Sequence, residues 1–236
     1  MSATPERRFN EYEPLFLAGL LIIVVGSWLF IVLADGVGEN DAESIDSRIV
    51  RAMRSDDDSS DPLGPRWLEE MGRDLTALGG YTVLTIVVVS VIVFLLLLGK
   101  HSSTHFVAAS ILSGYLVAML LKEFYQRPRP DVVEHLSYVE SSSFPSGHSM
   151  MSAIVYLTLG ALIARRADRL ALKIYILGVA LLLTVLVGSS RVYMGVHYPT
   201  DVLAGWSAGL VWATFCCLIA DRLQKRAQQS AENDSS

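Results

Sequence analysis

Six windows of this chain contain no Asp, Glu, Lys or Arg: residues 15–34, 75–99, 101–121, 141–164, 174–190 and 202–220. They are 17 to 25 residues long. A bilayer core of roughly 30 Å takes about 20 helical residues, within a range of about 17–25. Only helices or closed barrels satisfy every backbone group in lipid, and these runs are too long and continuous for barrel strands. The reading is all-α: one integral membrane domain over residues 1–227, a bundle of six transmembrane helices, followed by a disordered tail at 228–236.

The first window is not read as a cleaved signal peptide. Leu15 to Ala34 outruns a typical signal core, and no small-x-small cleavage pattern stands out. Arg7-Arg8 superficially resembles a twin-arginine signal, but Glu11 and Glu13 follow it. The two cysteines, Cys216 and Cys217, are adjacent within the last apolar run, which suits neither a disulfide nor a metal site. Neither a phosphate-binding loop nor a nucleic-acid-binding charge pattern is present, so no nucleic-acid partner is expected, and nothing points to an obligate protein partner.

Positive charge marks the cytoplasmic side of a membrane protein. Arg7 and Arg8, Lys100, the Arg165–Lys173 link and Arg222, Lys225 and Arg226 fall on one side of six alternating crossings. Both termini are therefore expected in the cytoplasm. The opposite side receives residues 35–74, 122–140 and 191–201. The first of these carries twelve acidic and five basic residues and reads as a solvated acidic loop, not a site. Ile45, Ile49 and Met53, then Trp67, Leu68, Met71, Leu75 and Leu78, recur at helical spacing, so interfacial helices are expected on either side of the turn-rich Ser55–Asp61.

Three polar strings crowd this same side: KEFYQRPRP from Lys122, FPSGHS from Phe144, and SRVYMGVHYPTD from Ser190 to Asp201. Taken singly, each has an ordinary explanation: snorkelling cations, a helix cap, an interfacial His. Together they supply, among other groups, the cations Lys122, Arg129 and Arg191, the imidazoles His148 and His197, and the Asp201 carboxylate. Lys122, Arg129 and Arg191 suit one strongly anionic group, since guanidinium forks match phosphate oxygens. Ser146 and Gly147 open a helix whose free N–H groups favour an anion, and Gly147 has no Cβ to hold an oxyanion off. His197 and Asp201 are four residues apart, near enough on a helical turn for the carboxylate to fix the imidazole tautomer and free the other ring nitrogen as a nucleophile. His148 then serves as the acid for the leaving oxygen. This set reads as a phosphoryl-transfer site.

The strings also fit K-x6-R-P (Lys122…Arg129-Pro130), P-S-G-H (Pro145–His148) and S-R-x5-H-x3-D (Ser190-Arg191…His197…Asp201). In this the chain resembles the type 2 phosphatidic acid phosphatase (PAP2) family, membrane lipid phosphatases related to vanadium haloperoxidases. The motifs span residues 122–201, and the helix layout extends the likeness over most of the chain. The resemblance implies a haloperoxidase-like helical core and a phosphohistidine at His197 polarised by Asp201. It also implies proton donation by His148 and phosphate binding by Lys122, Arg129, Ser146, Gly147 and Arg191. It implies no metal and no other cofactor. Arg127-Pro128 forms a second Arg-Pro pair two residues early, and Arg127 competes for the role of Arg129. His101 and His105 fall on the cytoplasmic side, outside the site. His135 is on the site's side but matches no motif.

The substrate expected is a lipid phosphate or diphosphate held at the membrane–water boundary, with membrane lipids around the tail. Charge at the bilayer centre costs about 2.5–3.5 kcal/mol or more per residue, so a cationic site belongs at helix ends. Undecaprenyl diphosphate, phosphatidylglycerophosphate and phosphatidate are the candidates. Transfer of the phosphate to an acceptor other than water remains open on the motifs alone. A non-catalytic lipid binder or transporter is disfavoured by intact His148, His197 and Asp201.

Overall fold

The computed structural model describes residues 13–38, 45–55, 58, 60–137 and 141–234. Every regular element among them is helical: α1 Glu13–Asp35, α2 Ile45–Arg51, α3 Arg66–Leu78, α4 Tyr81–Leu97, α5 His101–Tyr125, α6 Gly147–Ala164, α7 Leu170–Tyr193 and α8 Pro199–Asp234, with a single 3-10 turn at Gly36–Gly38. Five helices are long and apolar enough to cross a membrane. The sixth expected span is α3 and α4 together, bent by 46°. The bend falls at Gly79-Gly80, in the window read from sequence as continuous.

Helix α6 is the centre of the bundle. Of its span 61% is buried, against 11% for α1 and 17% for α7. The outer helices present leucines, valines and aromatics outward, among them Leu21, Trp28, Phe94, Phe124 and Tyr175. Such a skin suits lipid, where exposed apolar side chains cost nothing.

Small residues let the inner helices close up. Gly205 and Gly209 of α8 lie against the first turns of α6. A Cβ on Gly205 would stand 2.8 Å from the Ser146 carbonyl oxygen, and one on Gly209 2.6 Å from Ala153 Cβ. This is small-xxx-small packing, in which close backbones replace the absent hydrophobic driving force. Two tryptophans of α8 seal its other flanks. Trp206 Nε1 donates to the Thr184 carbonyl on α7 and Trp212 Nε1 to the Ser110 carbonyl on α5, each at 3.0 Å. Helix α1 runs along the outside of α8, with Gly19 against Leu218 and Gly26 against Val211.

The acidic segment differs from its sequence reading. Ile45 and Ile49 of α2 are exposed, while Asp46, Ser47 and Val50 are buried. The helix therefore turns a polar edge inward, and the segment is not wholly a solvated face. After it, Ser55 N bonds the Asp61 carbonyl at 2.9 Å and Leu63 N the Met53 carbonyl at 3.0 Å, closing the expected turn. The buried Arg54 then donates from Nη1 to the Tyr193 carbonyl at 2.9 Å, capping the C-terminal end of α7. The adjacent Gly195 has φ +72, and a Cβ there would meet Arg54 Nη2 at 2.5 Å, so only glycine fits both the turn and the cap. A second difference is at the far end: α8 continues to Asp234, past Gln228 where a disordered tail was expected. Beyond Asp221 its Ala, Gln, Arg and Lys residues are strong helix formers, and no Gly or Pro interrupts them there.

Candidate active site

Four helix ends meet at one end of the bundle. Helix α5 stops at Tyr125 because Gln126 takes a left-handed conformation (φ 44) ahead of two Arg-Pro pairs. Lys122, in its last turn, donates from Nζ to the Ser142 carbonyl at 2.7 Å and to Ser141 Oγ at 3.2 Å. Helix α6 starts at Gly147 with Ser146 as its N-cap, whose Oγ accepts from Ser149 N at 3.4 Å and Ser149 Oγ at 2.9 Å. A Cβ on Gly147 would stand 3.1 Å from both Lys122 Cε and the Tyr81 hydroxyl. The bare backbone at this helix start therefore faces the Lys122 ammonium and the Tyr81 phenol.

Helix α8 starts at Pro199, and Asp201 in its first turn reaches back to accept from Tyr198 N at 2.9 Å. This is the reach-back half of a capping box. The same carboxylate is fully buried and accepts from Ser143 Oγ and, at 2.7 Å, from Arg127 Nη1. Its main-chain carbonyl accepts from Ser146 N at 3.0 Å, tying the starts of α6 and α8 together.

His197 lies between α7 and α8 with 1% of its surface exposed. Its Nδ1 is 3.5 Å from Asp201 Oδ2 and makes no hydrogen bond in this geometry. Its Nε2 is 3.2 Å from Arg129 Nη1. A guanidinium only donates, so Nε2 carries the lone pair and Nδ1 the hydrogen, turned toward the carboxylate. Burial pushes the imidazole down to about 3, with Arg129 and Arg191 adding to that and Asp201 opposing it. His197 is thus held neutral at neutral pH, with a lone pair on Nε2.

Arg129 and Arg191 both act on this ring. Arg129 is held by the Ser141 carbonyl (Nε, 2.8 Å) and the Val196 carbonyl (Nη1, 2.7 Å), so its fork lies on the Nε2 side of His197. Arg191, 2% exposed, donates from Nη1 to Thr76 Oγ1 at 2.9 Å, while its Nε is buried without a hydrogen-bond partner among the described residues. His148, at the second position of α6, is in electrostatic reach of Arg191, His197, Lys122 and Arg129. All eight residues singled out from sequence thus come to one end of the bundle. His101 and His105 do not: they open α5, roughly 30 Å along the helix from Lys122 at about 1.5 Å per residue. His135 is exposed, its Nε2 2.6 Å from the Pro130 carbonyl oxygen.

The two early arginines divide their work. Arg127 faces away from the imidazole. It pairs with Asp201 Oδ1, with Asp46 Oδ2 at 3.1 Å, and with Thr200 Oγ1 at 2.8 Å, its guanidinium carbon 4.4 Å from the centre of the Tyr198 ring. The sequence reading missed Thr76, Tyr81, Asp46, Ser143 and Thr200. Ser143 and Thr200 lay inside or beside the motif strings. Asp46 was one of twelve acidic residues in its segment, with no signal to separate it.

Known proteins resemble this chain in sequence and fold. Residues 103–225 match the profile of the PAP2 superfamily. Phosphatidylglycerophosphatase B of Bacillus subtilis is 33% identical over 185 residues, which is 77% of this chain and 86% of that one. Undecaprenyl-diphosphatase of Sulfolobus acidocaldarius is 40% identical over 73 residues, 31% of each chain. The crystal structure of a transmembrane PAP2 type phosphatidylglycerolphosphate phosphatase from Bacillus subtilis superposes with a TM-score of 0.76 at 30% identity, covering 85% of this chain and 96% of that one. Aquifex aeolicus LpxE shares the fold, with a TM-score of 0.55 at 23% identity over 76% of this chain and 98% of its own. With a family profile across half its length and a relative similar over three quarters of it, this integral membrane protein belongs to the PAP2 superfamily.

Proposed function

We propose that the protein is a lipid phosphatase that removes phosphate from a lipid phosphomonoester or diphosphate through a phosphohistidine at His197. The observation that carries this is the His197 ring, its Nε2 turned toward the Arg129 fork and its Nδ1 toward the Asp201 carboxylate. In the first step Nε2 attacks phosphorus, and the bond from phosphorus to the lipid oxygen breaks. That oxygen leaves with the proton of His148. In the second step His148 takes a proton from water, the resulting hydroxide attacks the phosphohistidine, and phosphate leaves as the nitrogen–phosphorus bond breaks. Lys122, Arg129, Arg191, the Ser146 cap and the Gly147 amide neutralise the three equatorial oxygens, the largest contribution such sites make. Side-chain cations supply that neutralisation, so the reaction needs no metal.

The site lies at the helix ends, where a headgroup meets water while its tail remains among the exposed apolar faces of the outer helices. The distribution of Lys and Arg supports that end facing outward from the plasma membrane, with both termini inside. Similarity to phosphatidylglycerophosphatase B over most of both chains supports phosphatidylglycerophosphate as the substrate, ahead of undecaprenyl diphosphate and phosphatidate. The test is phosphate release from these three lipids in detergent micelles, side by side and with EDTA present. Release from phosphatidylglycerophosphate first, undiminished by the chelator, is expected. Release from none of the three, or only with a divalent metal, contradicts the reading.

A further inference from the structure

The acidic segment before the membrane core contributes a residue to the reacting end of the protein. Asp46, on α2, is 6% exposed. Its Oδ1 accepts from Thr200 N at 3.1 Å, and its Oδ2 accepts from Arg127 Nη2 at 3.1 Å and from Thr200 Oγ1. Arg127 in turn donates to Asp201 at 2.7 Å, and Asp201 faces His197 Nδ1. The order is therefore Asp46, Arg127, Asp201, His197: one guanidinium shared between two buried carboxylates, only one of which faces the imidazole.

This sharing has an electrostatic consequence. A carboxylate paired with a guanidinium holds a neighbouring N–H less strongly, because the cation draws on the same oxygens. With Asp46 present, the charge of Arg127 is divided. Without it, that charge falls wholly on Asp201, whose pull on the Nδ1 hydrogen of His197 weakens, and Nε2 becomes a poorer nucleophile. Asp46 also caps the free N–H of Thr200 at the start of α8, fixing the turn from which Asp201 projects. Arg129 lies at the opposite, Nε2 edge of the imidazole, and among the described residues Asp46 bonds Arg127 and Thr200 and none of Lys122, Arg129 and Arg191. We propose that Asp46 is a positioning residue for the reaction, acting through Arg127 and Asp201 on the nucleophile His197 while leaving the grip on the phosphate unchanged. The inference rests on the reading of His197 as the nucleophile.

The test is Asp46→Asn, which keeps the shape and removes the charge, measured for kcat, KM and the rate of phosphoenzyme formation beside wild type. Asp58→Asn, at an exposed site in the same segment, is the control. Expected are a fall of about tenfold in kcat and in phosphoenzyme formation, with KM held within about twofold. In an Arg127→Gln background, Asp46→Asn should add nothing further, since contacting residues couple. A wild-type kcat in Asp46→Asn, a lowered kcat with a raised KM and a lowered melting temperature, or an undiminished loss in the Arg127→Gln background overturns the proposal. Should Asp46→Asn not survive extraction, Thr200→Val removes the hydroxyl used by both Asp46 and Arg127. A fall in kcat at constant KM is expected there, and an unchanged kcat overturns the proposal. Wild-type protein that turns over lipid but never labels at His197 would instead remove the reading beneath it.

Discussion

Arg129 places Nη1 3.2 Å from His197 Nε2, on the edge of the ring away from Asp201. Arg127, two residues earlier, is on the far side of Asp201, 2.7 Å from Oδ1. Two arginines of one loop thus bracket a single imidazole–carboxylate pair, one at the Nε2 edge of the ring and one behind the carboxylate.

This bracketing separates the kinetics of the two side chains. Arg129→Gln should weaken phosphate binding directly, raising KM and lowering kcat/KM by about 10–100-fold, the range for one charge-assisted hydrogen bond of about 1.5–3 kcal/mol. Arg127→Gln should act mainly on kcat. Micelle kinetics on both variants distinguish them, and a larger KM effect from Arg127 would exchange the two assignments.

The burial of His197 sets a pH dependence of known sign. Its imidazole titrates near 3 in the folded protein, below the ordinary 6.5 of an unfolded chain. Between these values the unfolded state binds a proton that the folded state refuses, so stability falls as pH drops below about 6.5. Wild type should therefore lose more melting temperature between pH 7 and pH 5 than His197→Gln, which has no such proton to bind. Parallel slopes in thermal melts would show that His197 is not held neutral by its burial.

Gly205 tests whether the α6–α8 contact positions the chemistry. A Cβ there meets the carbonyl of Ser146, the residue capping α6, at 2.8 Å, and backbone cannot move aside cheaply. Gly205→Ala should destabilise the protein by about 1–3 kcal/mol, as overpacking does, and should lower activity in the fraction that folds. Full activity at full stability would show that the two helix starts need not be this close.

The sidedness assigned from charge is open to chemical labelling. A cysteine replacing the exposed Leu63, whose carbonyl accepts from the hydroxyl of Tyr193 at the end of α7, should react with a membrane-impermeant thiol reagent applied to intact cells. Reaction only after the cells are opened would invert the topology.

Much of this was legible in the sequence because the bilayer leaves a chain few choices. Charge-free windows of membrane length located the spans, and clustered Lys, Arg and His at their ends located Lys122, Arg129, His148, Arg191, His197 and Asp201. The bend at Gly79-Gly80 was not legible, because α4 is apolar on every side and its window continues unbroken across the two glycines. Asp46 was not legible either. Its burial depends on α2 turning Asp46, Ser47 and Val50 inward while Ile45 and Ile49 face out, against the apolar periodicity. Only the pairing with Arg127, 81 residues away in sequence, separates it from its acidic neighbours.

The most direct measurement is trapping of the phosphoenzyme. Protein incubated with lipid substrate labelled in its phosphate, then denatured under alkaline conditions that preserve phosphohistidine, should carry label on the peptide containing His197. His197→Ala should carry none, and Asp201→Asn much less. Label retained in His197→Ala, or found on His148, would contradict the account.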